Sequence, residues 1–461
     1  MREWSAERLA RAGGARLVAS PPAGGGPDPG PARAVVDSRL AGPGDLFVGL
    51  PGTRTDGGAF ADEALAAGAW GVLVSPEHSE AAGRDRRGAV LAAPDPLVAL
   101  QDLSRAWRRA LGARVVAVTG STGKTSTKDI LSVLLAGHLR TVASRENLNT
   151  EIGLPLAMLE APSGTQVLVL ELAMRGQGQI AELAAIADPD VGVIVNVGPV
   201  HLELLGTVEA VAAAKAELIA GLRPGTTAVV PAGETLLEPH LRRDVRTITF
   251  GPGGDVTLLH AEPNQATVAH GRERFTLEPN FSSAHQLNNL LAGVAAARAL
   301  GVRPEGRVDV RFSAMRGERI ALPDGIVIVN DCYNANPMSM AAALEELAGM
   351  TARRRVAVLG DMLELGPQEH RFHVEVGARA AALGLDVLVT VGPRAEAMAE
   401  GIAGRRPRPE HHPVADAAEA AALVPGLLEP GDAVLIKGSR AIELERVAEQ
   451  LVAPAARPAV R

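Results

Sequence analysis

The chain has 461 residues, of which 47% are hydrophobic but only 2% aromatic, and a formal net charge of -7. At roughly 150 residues per domain this is a three-domain length, with cores to be filled by Ala, Val, Leu and Ile. The acidic balance excludes a global positive field that would draw the chain to nucleic acid, and the single cysteine, Cys332, excludes an internal disulfide and fits a reducing compartment.

The N-terminus, MREWSAERLARAGG, is amphipathic and charged and does not resemble a signal peptide. No stretch is long and apolar enough to span a bilayer, so a soluble, cytoplasmic protein without membrane insertion is expected. Residues 21–31, PPAGGGPDPGP, read as a surface loop. Strand-like pieces at Leu46–Leu50, Gly71–Val74 and Ala89–Ala92 then alternate with helical pieces at Phe60–Ala67 and Leu97–Ala110. A first boundary near Gly112 closes a domain over residues 1–112. From Arg114 the pattern changes to near-continuous apolar runs, VVAVTG, QVLVLEL, VGVIVNVG and TTAVVP, which read as strands buried on both faces of a parallel sheet. Helices between them predict a doubly wound α/β domain over 113–312, closed by a long helix at Ser283–Leu300. A third α/β pattern over 313–461 has IVIVND, RRVAVLGD, LDVLVTVG and AVLIKGS as its strands.

The segment VVAVTGSTGKTSTKDILSVLL carries the most chemistry. A buried strand runs into the turn Gly120–Ser121–Thr122–Gly123, and a helix begins near Lys124. Backbone N–H groups of such a turn, with the helix N-terminus, cradle phosphate oxygens. Lys124 then neutralises the β- and γ-phosphates, and the Thr125 hydroxyl is placed for Mg²⁺. Val118 stands where the strict Walker pattern has glycine, so this is the shorter GxxGKT form. Glu171 ends the strand VLVLEL at the carboxyl edge where ligands sit in doubly wound sheets, placed to hold Mg²⁺ directly or through water. Taken alone, His201 reads as a structural or surface histidine and Lys215 as a solvated helix lysine.

Together the segments resemble the Mur ligases, and within them the branch that adds D-alanyl-D-alanine to a UDP-muramoyl-tripeptide. DSR at Asp37–Arg39 and GDLFVGLPGTRTDG at Gly44–Gly57 look like the UDP-sugar-binding N-terminal domain. TGSTGKTSTK at Thr119–Lys128 looks like the family phosphate loop, and ENLNTEIGLPLAML is similar to its substrate loop. NVGPVHLELLGT and AKAEL look like its metal-site histidine and its carbamylated-lysine segment. NDCYNANPMSM resembles the opening of the third domain in the D-alanyl-D-alanine-adding branch, and VAVLGDMLELG and LIKGSR complete the set. No DNPR sequence, used by diaminopimelate-adding relatives, is present.

The resemblance implies two Mg²⁺ sites, Thr125 with Glu171 and His201 with a carbamylated Lys215, around ATP held by Gly120, Ser121, Thr122, Gly123, Lys124, Thr125 and Ser126. It implies Asn289 at the adenine, Asp331 at the ribose, and Arg316 reaching the phosphates when the third domain closes. Lys124, His201, Lys215 and Arg316 form the implied catalytic set. Ser38, Arg39, Asn147, Asn149, Thr150, Asn334, Asn336, Lys437 and Ser439 fall on the substrate side, with Arg440 beside them. UDP-muramoyl-tripeptide and D-alanyl-D-alanine are the implied partners, and a monomer is expected.

Three departures stand out: Gly58 where the family often has histidine, His285–Gln286 in place of HN on the adenine helix, and Pro231–Ala232–Gly233–Glu234 in place of LNADD. The rival readings are another amide ligase of the superfamily, a P-loop switch and a non-catalytic nucleotide scaffold. YNANP argues against the first, the absence of an NKxD motif against the second, and the presence of Lys124, Thr125 and Lys215 against the third. Cys332 has no motif partner and reads as a buried structural thiol.

Overall fold

The computed structural model describes residues 1, 3–21, 30–84, 87–145 and 147–453; residues 22–29 of the segment read as a loop lie outside them. Three sheets divide the chain. The first has five strands in the order Arg16–Ala19, Ala89–Ala92, Gly71–Val74, Asp45–Val48 and Arg33–Val35, parallel except at the first edge. Its last helix, Pro96–Leu111, starts where the Asp95 carboxylate accepts the N–H groups of Leu97 and Val98, and stops at Gly112, whose φ of 64° the absence of a Cβ permits. Trp107 on that helix packs edge-on against Trp4 and donates its indole N–H to the Ala161 carbonyl at 3.0 Å, seating the first domain on the second.

The second sheet has ten strands. Its parallel part places Arg114–Thr119 between Val167–Glu171 and Val191–Ile194, with Thr141–Ala143 outside the former, and Thr227–Pro231 and Arg246–Phe250 beyond the latter. Val115, Val116 and Val118 are completely buried, each such side chain contributing roughly 1.5–3 kcal/mol by leaving water. Helix Ala284–Ala299 packs on this sheet beside Lys124–Ala136. A Cβ on Gly293 would stand only 3.3 Å from Ile130 and Leu134, so small residues there allow the two helices to approach closely.

Beyond Phe250 the sheet departs from the doubly wound expectation. Val256–Glu262, Gln265–His270 and Glu273–Pro279 form an antiparallel meander, and Gly306–Val308 closes the edge. The signal was present in Glu273–Pro279, where buried Phe275 and Leu277 alternate with exposed residues in the period of a half-buried strand.

The third sheet runs Glu318–Ala321, Val327–Asn330, Ala433–Lys437, Arg355–Gly360, Val387–Val391 and Glu410–Val414, antiparallel only at its first edge. The connection into it is tied down at Ser313, whose N–H and hydroxyl both donate to the Asp129 carboxylate, at 3.1 and 3.0 Å. Met315 and Gly317 follow in left-handed conformations, with φ of 59° and 72°. Among the described residues no helix is long and apolar enough to cross a membrane.

Candidate active site

The second and third sheets turn their carboxyl edges toward one another, and a cavity of about 1110 Å³ lies between them. Three adjacent strand ends build its central wall: Arg114–Thr119 gives the glycine turn, Val167–Glu171 gives Glu171, and Val191–Ile194 leads to Asn196 and His201. Convergence of loops at the carboxyl ends of parallel strands makes such a crevice a general binding place.

The glycine turn is shaped by its residues. Gly123 caps helix Lys124–Ala136 with φ of 74°, and a Cβ there would lie 2.5 Å from the Asn289 amide oxygen, so only glycine fits. Asn196 braces the turn from the neighbouring strand end, its side-chain oxygen accepting the Thr122 N–H at 2.9 Å and its amide donating to the Thr122 hydroxyl at 3.0 Å. Sequence reasoning did not single out Asn196, although it ends the apolar run VGVIVN just as Glu171 ends VLVLEL. The Lys124 amine donates to the Gly120 carbonyl at 2.9 Å, folding over the loop it follows. Burial lowers its basicity; Glu171 offsets part of that shift and Arg316 deepens it.

Thr125 donates its hydroxyl to one Glu171 oxygen at 2.7 Å, and Asn149 donates its amide to the other at 2.9 Å. The pair presents hard oxygen donors side by side, the chemistry that suits Mg²⁺. Lys215 lines the same cavity at 2% exposure. Burial first, then the charge of Lys124, holds its amine well below the usual lysine range. As an ammonium it does not fit a cation site. As a neutral amine it is suited to add to CO₂ and lose a proton, and the resulting carbamate oxygens do fit one.

His201 caps the short helix Leu202–Leu205 in a left-handed conformation, φ 53°. Its Nδ1 meets the Glu364 carboxylate of the third domain at 2.5 Å. Burial lowers the imidazole pKa most, Glu364 offsets this, and Lys124 and Lys215 deepen it. Glu364 lies in VAVLGDMLELG, where no local pattern marks it for a contact with another domain.

From the third domain, Arg316 lines the cavity with its guanidinium 4.0 Å above the Tyr333 ring. Asn336 caps helix Pro337–Gly349 through Ser339, and its amide reaches the Ser121 carbonyl at 3.5 Å. Met338 abuts Gly198, where any Cβ would overlap its sulfur at 1.8 Å. Lys437 is 2% exposed and donates to the Asp331 carboxylate at 2.6 Å and the Asn334 carbonyl at 3.0 Å, so it holds the YNANP turn. The Ser439 hydroxyl accepts the Leu363 N–H at 3.0 Å. Cys332 is buried, its thiol pushed up to about 12 chiefly by burial, and it donates to the Asn330 side-chain oxygen.

The structure thus gathers Gly120, Ser121, Thr122, Gly123, Lys124, Ser126, Asn149, Thr150, Glu171, His201, Lys215, Asn289, Arg316, Asp331, Asn334, Asn336, Lys437 and Ser439 around one cavity, with Thr125 buried behind Glu171. It leaves Asn147, Ser38 and Arg39 out of that lining. Arg39 is exposed and bonded to Asp37 at 2.6 Å. At Gly58 a Cβ would come within 2.3 Å of the His78 ring, so an imidazole from helix Pro76–Ala82 occupies the space of a residue-58 side chain.

A phosphate-binding loop on a doubly wound sheet, facing a third α/β domain across a cleft, defines a P-loop nucleotide-binding fold with a docking lobe. The family described as "Mur ligase family, catalytic domain" matches residues 35–114, "Mur ligase middle domain" matches 118–297, and "Mur ligase, glutamate ligase domain" matches 315–440. UDP-N-acetylmuramoyl-tripeptide–D-alanyl-D-alanine ligase of Synechocystis is 36% identical over 91% of this chain and 91% of its own length. The Bacillus subtilis protein of that name is 34% identical over 90% and 92%. Among solved structures, MurF from Acinetobacter baumannii matches with a TM-score of 0.83 at 29% identity, covering 98% of this chain and 99% of that one. MurF from Thermotoga maritima in complex with ADP matches at 0.78 and 32% identity, covering 91% and 96%. The chain belongs to the Mur ligase family.

Proposed function

We propose that this chain is an ATP-dependent ligase that joins D-alanyl-D-alanine to UDP-N-acetylmuramoyl-tripeptide in peptidoglycan precursor synthesis, acting as a monomer in the cytoplasm. The observation that carries the reading is the meeting of the YNANP turn with the phosphate loop in one cleft, Asn336 against Ser121, in a chain whose relatives over nine-tenths of its length bear that activity in their names. Residues 1–112 would bind the UDP-sugar end, 113–312 ATP, and 313–461 the incoming dipeptide.

A carboxylate is a poor electrophile until one oxygen becomes a good leaving group. In this reading the terminal carboxylate of the tripeptide attacks the γ-phosphorus of ATP, giving an acyl phosphate and ADP. The dipeptide amine then attacks the acyl carbon and phosphate leaves. Gly120 to Gly123 and the helix N-terminus behind them bind the phosphates through backbone N–H groups. Lys124 swings from the Gly120 carbonyl onto the β- and γ-oxygens, and Arg316 adds a second positive charge from the opposite wall. Asn289 faces the adenine and Asp331 the ribose, the latter held by Lys437. Asn149, Thr150, Asn334 and Asn336 orient the two substrates, while Ser38 and Arg39 belong to the distant UDP end. Mg²⁺, when bound, offsets charge on the transferring phosphoryl group; Thr125 with Glu171, and His201 with carbamylated Lys215, would hold it. Closing of the third domain excludes water from the acyl phosphate.

The test is phosphate release from ATP with UDP-muramoyl-tripeptide present and D-alanyl-D-alanine added or withheld, with the product weighed. Release that needs both, with a mass gain of one dipeptide, is the expected result. Release supported by a single amino acid moves the chain to a neighbouring ligase.

A further inference from the structure

The His201–Glu364 contact joins residues 163 positions apart on two different domains, and both ends are built. Each has a left-handed backbone, φ 53° and 63°, which for residues with a Cβ costs on the order of 1 kcal/mol or more and persists only where surroundings enforce it. The Glu364 loop is held at several points. The Asp361 carboxylate accepts the N–H groups of Arg394 and Ala395 at 3.0 and 2.7 Å. His373 accepts the Met362 N–H at 3.0 Å, and Ser439 accepts that of Leu363. At the tip, the Glu364 carbonyl accepts the Glu203 N–H from the second domain at 3.2 Å, and a Cβ on Gly366 would press to 3.2 Å from Glu203 backbone. The segments GDMLELG and LIKGSR therefore form one piece that presents a carboxylate to His201. The mechanism above makes no use of that carboxylate.

We propose that Glu364 is a positioning residue: its carboxylate accepts Nδ1–H of His201, fixing the imidazole in the tautomer whose Nε2 lone pair is left for the cleft, and it does so only when the third domain is docked. An imidazole offers a lone pair on one nitrogen by carrying its proton on the other, and the partner of that proton sets which is which. Glu364 supplies that partner from the third domain, so completion of the His201–Lys215 side is conditional on docking. The inference rests on the reading that this cleft holds the reacting phosphoryl group. It extends that reading by making domain docking, rather than nucleotide binding alone, the event that readies His201.

The test compares wild type, E364A and E364Q, with the thermal midpoint of each recorded. The readout is the ¹⁵N chemical-shift pattern of the His201 ring, assigned with a His201→Gln variant, in metal-free protein with ATP and D-alanyl-D-alanine present. Wild type should show predominantly Nδ1–H; E364A should move toward the Nε2–H form or a mixture. E364Q, whose amide oxygen still accepts, should remain close to wild type. In turnover, E364A should lose about 10- to 100-fold in kcat, the usual range for removing a carboxylate behind a liganding histidine, with KM for ATP little changed and E364Q recovering most of the loss. An unchanged tautomer in E364A, or equal losses in kcat for both variants, overturns the proposal. The ring tautomer is read without catalysis, so a wild-type protein that releases no phosphate sinks the functional reading while this measurement still decides the role of Glu364.

Discussion

The two edges of the cleft are made in different ways. The phosphate edge is one continuous segment, a buried strand, a glycine turn and a helix, and its groups are in place by virtue of local folding. The His201 edge is assembled from three separated pieces: the left-handed cap at His201, Lys215 on the following helix, and Glu364 from another domain. A contiguous edge suits a ligand that must bind first and repeatedly. An edge made by two domains is complete only in one arrangement, which suits a step that must wait until every substrate is enclosed.

The largest expected effect comes from the contiguous edge. K124A should lower kcat/KM for ATP by about 10³-fold, since it removes a cation preorganised for developing charge; steady-state phosphate release checks this, and a loss under tenfold breaks the contrast. On the assembled edge, K215R puts a permanent cation where a neutral amine stands and cannot form the carbamate, and about 10²-fold should be lost from kcat. ¹³C-bicarbonate NMR should show a carbamate resonance in wild type that K215R lacks. If wild type has none, Lys215 does not take the metal-site role.

A smaller effect sharpens the dependence on docking. In G198A the added methyl meets the Met338 sulfur, and a flexible methionine can yield in part. G198A should therefore raise KM for the dipeptide about tenfold, and adding M338A should restore much of it, a coupling a double-mutant cycle measures. The smallest effect is a silence. With its thiol held at about 12, well above the ordinary 9.0, Cys332 in the folded chain stays protonated at pH 8. Alkylation should be slow there and become rapid only in denaturant; rapid labelling of native protein would contradict the packing around Asn330.

Legibility followed the same division. The glycine turn, Lys124 and Thr125 were readable because a strand, a turn and a helix announce themselves within twenty-odd residues, and Glu171 because it ends a second buried strand, VLVLEL. His201 and Lys215 read as ordinary side chains until resemblance lifted them, because their meaning lies in a shared cavity rather than in spacing. Glu364 stayed hidden since no local pattern reports a contact made between domains. Ser439 and Lys437, expected on the substrate side, line the cleft and also brace the loops that face it, a contribution visible only in hydrogen bonds. The meander after Phe250 was missed for another reason: its strands are half exposed, and continuous apolar runs had become the signal for strand in this chain.

The Asp129–Ser313 tether carries a mechanical consequence. The helix whose first residue is Lys124 holds, little more than one turn further along, the start of the connection into the third domain. The phosphate loop and the root of the third domain therefore share one helix. The left-handed residues Met315 and Gly317 follow just past the clamp, and the domain that begins there brings Asn336 to the phosphate loop at Ser121 and Glu364 to His201.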